Sequence, residues 1–135
     1  MAALKTKGKN KVMVVDDNPD VVSTLRAIME SEGYSVETAG SADECWAAIT
    51  QKKGKGIPAL ILLDIMMPGM SVKELLSRFN KDKAASKIKI IYVTAVAASE
   101  KDRRDYIAAG NVVDYITKPF YLEDLVKRVN DALKK

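Results

Sequence analysis

Histidine is absent from this 135-residue chain, and cysteine occurs once. Those two scarcities exclude a disulfide framework, a Cys/His zinc site and any catalysis built on an imidazole base. Long apolar stretches are lacking as well. No uninterrupted run is longer than that of Ala59–Leu63, far short of the roughly 20 residues that a membrane-crossing helix needs. Met1–Lys11 has no apolar core of the kind a secretion signal carries. With 7 Gly and 4 Pro, collagen-like and linker-like compositions are out too. What is present is 47% hydrophobic and 30% charged residues, the make-up of an ordinary globular chain of one-domain length. A lone cysteine fits a reducing compartment, so a cytoplasmic location is expected.

Lys and Arg number 22 against 18 Asp and Glu, a net charge of +4. The excess is local. Lys5, Lys7, Lys9 and Lys11 fall in the first 11 residues with no acid among them, and the remainder is balanced. Residues 1–10 read as a basic, flexible tail and residues 11–135 as the folded domain. The competing reading of the tail is a contact with nucleic acid or another acidic surface.

From Lys11 onward the pattern alternates. Val12–Val15 is a continuous apolar run rich in β-branched residues, the signature of a strand buried on both faces; Ala59–Leu63 is apolar throughout, and Tyr34–Thr38, Ile88–Val93 and Val112–Ile116 read as further short strands. Helical signals separate them. Asn18-Pro19 forms a cap and first turn before the stripe Val22, Leu25, Ile28 and Met29, and Gly33 ends that helix. Ser41-Ala42-Asp43-Glu44 and Ser71-Val72-Lys73-Glu74 are capping-box sequences. Glu100–Ala109 is a charged helix stopped by Gly110, and Leu122, Leu125, Val126, Val129 and Leu133 mark a closing one. Five strands and five helices in strict alternation predict an α/β parallel sheet covered on both faces. The strand order is not readable from this pattern.

In such sheets ligands bind beyond the carboxyl ends of the strands. Asp16 and Asp17 follow the first strand, Asp64 the third, Thr94 the fourth, and Lys118-Pro119 the fifth. Each has an ordinary structural explanation by itself. Together they would place three carboxylates, a hydroxyl and an ammonium on one edge. Clustered carboxylates repel one another unless a cation joins them. An all-oxygen donor set suits a hard cation, and Mg²⁺ best of all. One carboxylate could then act as a nucleophile toward phosphorus, with the Lys and Thr stabilising phosphoryl oxygens.

Asp16-Asp17 in VVDDNPD, Asp64 in LILLDIMMPG, Thr94-Ala95 after IIYV, and Lys118-Pro119 in DYITKPF occur in this order over nearly the whole chain. In them the sequence resembles a response-regulator receiver domain of two-component signalling. The resemblance implies a flavodoxin-like three-layer sandwich, doubly wound, with strand order 2-1-3-4-5. That order is known from receiver proteins themselves, so at this point it rests on the resemblance alone. The resemblance also implies roles. Asp64 would accept a phosphoryl group from a sensor histidine kinase or phosphotransfer protein. Asp17, Asp64 and the Met66 backbone carbonyl would bind Mg²⁺, with Asp16 acting through water. Lys118 would pair with the acids and then with the phosphoryl group. Thr94 would move to bond a phosphoryl oxygen, and Tyr115 would turn inward as it moves. Ala95 would keep the phosphate site uncrowded. The result would be a two-state switch, with a coupling of ~1–3 kcal/mol typical of such devices, and an output face formed by the charged helix, the fifth strand and the last helix.

Two departures from the family pattern stand out. Ser71-Val72 replaces an Asp-Gly pair, and Asn111-Val112-Val113 replaces a small-residue run before the fifth strand. Apolar Met66 and Val96 flank the expected path of a hydrolytic water, so slow loss of the phosphoryl group is expected. Cys45, Trp46 and the methionines read as packing or loop-covering residues, and Tyr92, Tyr106 and Tyr121 as half-buried.

Rival readings fit less well. A flavodoxin needs a hydroxyl-rich phosphate loop where Asp16-Asp17 stands. A haloacid-dehalogenase-type phosphatase needs an acid at the position of Met66. A receiver-like module that binds partners without phosphorylation would have lost an acid or the Lys. The expected partners are a kinase or phosphotransfer protein, and a downstream protein target or an output domain outside this sequence. A homodimer formed on phosphorylation is a further expected output. Nothing resembles a helix-turn-helix unit, so neither direct DNA binding nor membrane contact is expected.

Overall fold

The computed structural model describes residues 10–52, 56–96, 99–107 and 111–134. Lys5, Lys7 and Lys9 of the basic tail, Ala109, the helix stop Gly110 and the side chain of Tyr106 lie outside what it describes. The elements are β1 (Lys11–Val15), α1 (Pro19–Ser31), β2 (Ser35–Ala39), α2 (Ala42–Gln51), β3 (Leu60–Leu63), α3 (Val72–Lys81), a 3-10 turn (Ala85–Lys87), β4 (Lys89–Thr94), α4 (Glu100–Ile107), β5 (Val112–Thr117) and α5 (Leu122–Lys134). All strand pairs are parallel, in the order β2-β1-β3-β4-β5. This is a flavodoxin-like α/β fold.

The apolar runs sit where burial on both faces is needed. Val12, Val14, Leu60, Leu62, Ile91 and Val93 face α1 and α5, against Leu25, Met29, Leu125 and Val129. Met13, Val15, Ile61, Leu63, Ile90 and Tyr92 face the other way, against Cys45 and Ile49 of α2 and Leu75, Leu76 and Phe79 of α3. Each fully buried side chain of this size contributes about 1.5–3 kcal/mol, so the two-sided runs decide the fold.

Local chemistry fixes the helix starts. Asn18 Oδ1 accepts from the N–H groups of Asp20 (2.9 Å) and Val21 (3.3 Å). Ser41 and Ser71 each accept from the N–H three residues on, at 3.1 Å. The reciprocal half of the first capping box is displaced by one residue: the Glu44 carboxylate takes the Gly40 N–H (3.0 Å).

Several boundaries differ from expectation for identifiable reasons. Tyr34 is not the first residue of β2, because its N–H closes α1 on the Met29 carbonyl (3.1 Å). Ile88 is not the first of β4, because the unforeseen 3-10 turn holds its N–H on Ala85 (3.1 Å). In β5 the register jumps from Ile90↔Val112 to Ile91↔Asp114, so Val113 bulges out and is exposed. The unusual Asn111-Val112-Val113 run thus coincides with a β-bulge. Tyr92 is core rather than half-buried, Tyr121 is 83% exposed, and Met66 covers nothing at 64% exposed.

Candidate functional site

The site forms where β1 and β3, neighbours in the sheet but separated by β2 and two helices in the chain, end together. The Asp64 N–H donates to the Val15 carbonyl (3.0 Å), and the Asp16 N–H to Ala39 (3.2 Å). On the other side Lys118 N–H donates to the Thr94 carbonyl (2.8 Å), tying β5 to β4 just past their last pair. The strand ends therefore bring Asp16, Asp17, Asp64, Thr94 and Lys118 to one edge. One carboxylate oxygen from each of Asp16, Asp17 and Asp64 lies within 4.8 Å of the others.

The three acids are not equivalent. Asp16 is buried, with Oδ1 accepting from the Asn18 N–H (2.9 Å) and Oδ2 from Lys118 Nζ (2.7 Å). Asp64 is also buried; its Oδ1 accepts from the Met66 N–H (3.1 Å), and its Oδ2 stands 3.6 Å from Lys118 Nζ. Asp17 is exposed to solvent. Lys118 thus sits between two carboxylates, closer to Asp16. Such a buried, charge-assisted pair fixes geometry as much as it stabilises. The donors are all oxygen, and the cluster is open on the Asp17 side, a set that fits a hard divalent cation.

Around the acids, Thr94 is fully buried, and its Oγ1 accepts from the Val96 N–H (3.3 Å). Ala95 is exposed beside it. Tyr115 is buried and already turned inward: its hydroxyl donates to the Val96 carbonyl (2.8 Å), and its ring meets Tyr92 edge-on, with centroids 5.9 Å apart. The segment after Thr94 is therefore held both by Thr94 and by Tyr115.

Sequence reasoning missed two contributors. Asn18 was visible only as a helix cap, yet its backbone N–H also orients Asp16. Asp43 looked like a first-turn acid of α2, yet its Oδ2 accepts from the N–H of Met70 (3.1 Å), bracing the loop that follows Asp64. No local signal could reveal that second contact, which spans 27 positions. Gly69 in that loop has φ +90°, and a Cβ there would lie 2.6 Å from Asp43 Oδ2. With Pro68 before it, it makes the turn that only glycine permits at low cost.

The family description "Response regulator receiver domain" matches residues 12–130. Among curated relatives, the chain is 34% identical over 124 residues to the phosphate regulon transcriptional regulatory protein PhoB of Pseudomonas aeruginosa, covering 92% of this chain and 52% of that protein. It is 30% identical to Protein PilH of the same organism, covering 91% of this chain and 97% of PilH. The chain spans about half the length of most of the curated relatives it matches. Among solved structures, a receiver domain protein of Methanospirillum hungatei aligns with TM-score 0.76 and 30% identity, over 93% of this chain and 94% of that one. The response regulator TrrA of Thermotoga maritima, solved in complex with Mg²⁺-BeF, aligns with TM-score 0.74 and 28% identity, over 91% and 98%. No described helix is long and apolar enough to cross a membrane. With the acid pocket at the strand ends and a family match over nearly its whole length, the chain belongs to the response-regulator receiver domains, the phosphoacceptor modules of two-component systems.

Proposed function

We propose that Asp64 is the phosphoacceptor, taking a phosphoryl group from a phosphohistidine on a sensor histidine kinase or phosphotransfer protein. The observation that carries this is the asymmetry of the acid cluster. Asp16 has both oxygens hydrogen-bonded, whereas Asp64 Oδ2 has only the looser ion-pair contact with Lys118 Nζ, 3.6 Å away. That oxygen attacks phosphorus. An O–P bond forms, the P–N bond to the donor breaks, and the imidazole nitrogen leaves with the electron pair. Asp17, Asp64 and the Met66 carbonyl would hold Mg²⁺ directly and Asp16 through water. When bound, that ion neutralises charge on the phosphoryl oxygens. Lys118 contributes a second positive charge at the same oxygens, and Ala95 leaves room for them.

In this reading Thr94 gives up its Val96 contact to hydrogen-bond the new phosphoryl group. Tyr115, bonded to the same residue's carbonyl, passes the rearrangement to β5 and α4. The output face is then α4, β5 and α5, acting on a downstream protein, an output domain or a second copy of the chain. Residues 11–135 make up the receiver domain, residues 1–10 a basic tail, and the compartment is the cytoplasm.

Intact-mass spectrometry after incubation with acetyl phosphate tests the core of this. A single phosphoryl adduct that requires both Mg²⁺ and Asp64 is expected, and Asp64→Asn should give none. An adduct that survives Asp64→Asn would remove Asp64 from the role.

A further inference from the structure

A parallel α/β fold has two unlike poles. Helices run back against the strands, so helix N-termini gather at the acid site, while strand starts and helix C-termini gather at the opposite end. There β1, β3 and β4 begin side by side: the Ala59 N–H donates to the Lys11 carbonyl (2.8 Å), and the Lys89 N–H to Ala59 (3.1 Å). Lysines collect along this line. Lys11 opens β1, Lys52 caps α2, Lys81 ends α3, Lys83 and Lys87 lie in the connection to β4, and Lys89 opens β4. Lys81, Lys83 and Lys87 are exposed. Lys11 and Lys89 also donate to the Gly56 and Ala132 carbonyls, at 3.1 and 2.6 Å.

Acids share this pole too: Glu32 caps the end of α1, Glu30 pairs with Arg26 (3.2 Å), and Asp131, beside the Ala132 carbonyl that Lys89 holds, pairs with Lys127 (2.9 Å). Glu37 lies 3.0 Å from Lys52 Nζ and 3.7 Å from Lys11 Nζ, and Asp82 Oδ1 accepts from the N–H groups of Ala84 and Ala85. In the sequence Lys5, Lys7 and Lys9 immediately precede Asn10, where the chain enters this pole; the Asn10 carbonyl accepts from the Ser35 N–H. The helix dipole accounts for Lys81 at the end of α3. It does not account for Lys83, Lys87 or Lys11, which end no α-helix.

We propose that this lysine pole docks the protein on an anionic lipid surface. The chemistry favours lipid over nucleic acid. All six cations are lysines, compact point charges without the guanidinium fork suited to individual phosphates. The helix ends here are C-termini, which present carbonyls, so the N–H cradle that holds discrete phosphates is at the other pole. The aromatic rings of these segments are engaged: Trp46 of α2 is half-buried between Phe79 and Arg78, and Phe79 of α3 and Tyr92 of β4 are buried, so none is a free platform on which bases could stack. Exposed Lys81, Lys83 and Lys87, with half-buried Lys11, Lys52 and Lys89 beside them, need only the diffuse negative potential of lipid headgroups. Membrane contact was not expected from the sequence: Lys81, Lys83, Lys87 and Lys89 are close in the chain, but Lys11 joins them only where β1, β3 and β4 begin together. Docking by this pole turns the acid pocket away from the surface, open to a kinase.

Sedimentation of the full chain with phosphatidylglycerol-containing vesicles tests the proposal, beside pure phosphatidylcholine vesicles and a duplex DNA of random sequence. Binding to the anionic vesicles alone is expected. It should fade toward molar salt, where the screening length is about 3 Å. Each lysine near such a surface is worth about fivefold in partitioning, so the triple variant Lys81→Gln, Lys83→Gln, Lys87→Gln should lose on the order of 100-fold. The corresponding triple Arg variant should bind like the unaltered protein. Three results would each overturn the proposal: no binding to anionic vesicles at low salt, binding indifferent to the Gln triple, or tighter binding to the DNA than to the vesicles.

Discussion

At the scale of single residues, hydrogen bonding separates carboxylates that composition treats alike. Asp16 is locked by Asn18 and Lys118, Asp64 is hydrogen-bonded on one oxygen and only loosely paired with Lys118 on the other, and Asp17 faces solvent. The same kind of distinction applies to Cys45. Burial, and then the charge of Glu37, push its thiol up to about 12. In the unfolded chain a thiol ionises near ~8.5. Above that pH the unfolded state loses a proton that the folded state keeps, so stability falls as pH rises, by up to about 1.4 kcal/mol per unit, until the folded thiol itself ionises. Below pH ~8.5 the group contributes no slope. Cys45→Ala should therefore flatten the alkaline limb of stability measured by urea unfolding. An alkaline limb as steep as that of the unaltered protein would contradict this.

At the scale of elements, the segment from Asp64 to Ser71 shows how a loop is made rigid without regular structure. Asp64 Oδ1 takes the Met66 N–H at its start, and Asp43 takes the Met70 N–H near its end. Met67 and Met70 pack on the core between and beyond these points. Gly69→Ala combines an unfavourable positive φ with a Cβ 2.6 Å from Asp43 Oδ2 and should cost about 1–2 kcal/mol or more in chemical denaturation. That cost should shrink in an Asp43→Ala background, which removes the clash but not the dihedral. Met66 is 64% exposed beside Asp64, and Val96 is half-buried, its backbone bonded to Thr94 and Tyr115. Neither side chain offers a hydrogen bond to an attacking water. Met66→Asn with Val96→Glu should speed loss of the phosphoryl group by on the order of tenfold, the worth of one oriented hydrogen bond. Phosphate release followed after removal of the donor measures it, and an unchanged rate would exclude this account of a long-lived phosphorylated state.

At the scale of the whole molecule, the acid cluster ties stability to cation binding. An ion that binds the three carboxylates of the folded chain, and not the unfolded chain, stabilises by about 2.7 kcal/mol at a hundredfold excess over its dissociation constant. For a domain of this size each kcal/mol raises Tm by roughly 4 °C. Mg²⁺ should raise the melting temperature of the unaltered protein, and Asp17→Ala should abolish the rise. Equal shifts in both would remove Asp17 from the metal site.

The elements and the residues at their ends were legible before any strand was paired. Two-sided apolar runs, the Asn18 and Ser71 caps and the Gly33 stop are local signals, and each acts within a few positions of the chain. So Asp16, Asp17, Asp64, Thr94 and Lys118 could be assigned to strand ends directly, while the strand order followed only from resemblance. Everything that depends on which strand lies beside which had to wait for the folded molecule. The Lys118–Asp16 pair spans 102 positions, the Asp43 brace spans 27, and the bulge at Val113 exists only relative to β4. The line of lysines at the far pole shares this origin in part: Lys81 to Lys89 are neighbours in the chain, but Lys11 joins them only through β3. An apolar run states that a strand is buried, but not by which neighbour, because the hydrophobic effect is non-directional. Pairing is settled by packing of the whole sheet against both helical layers.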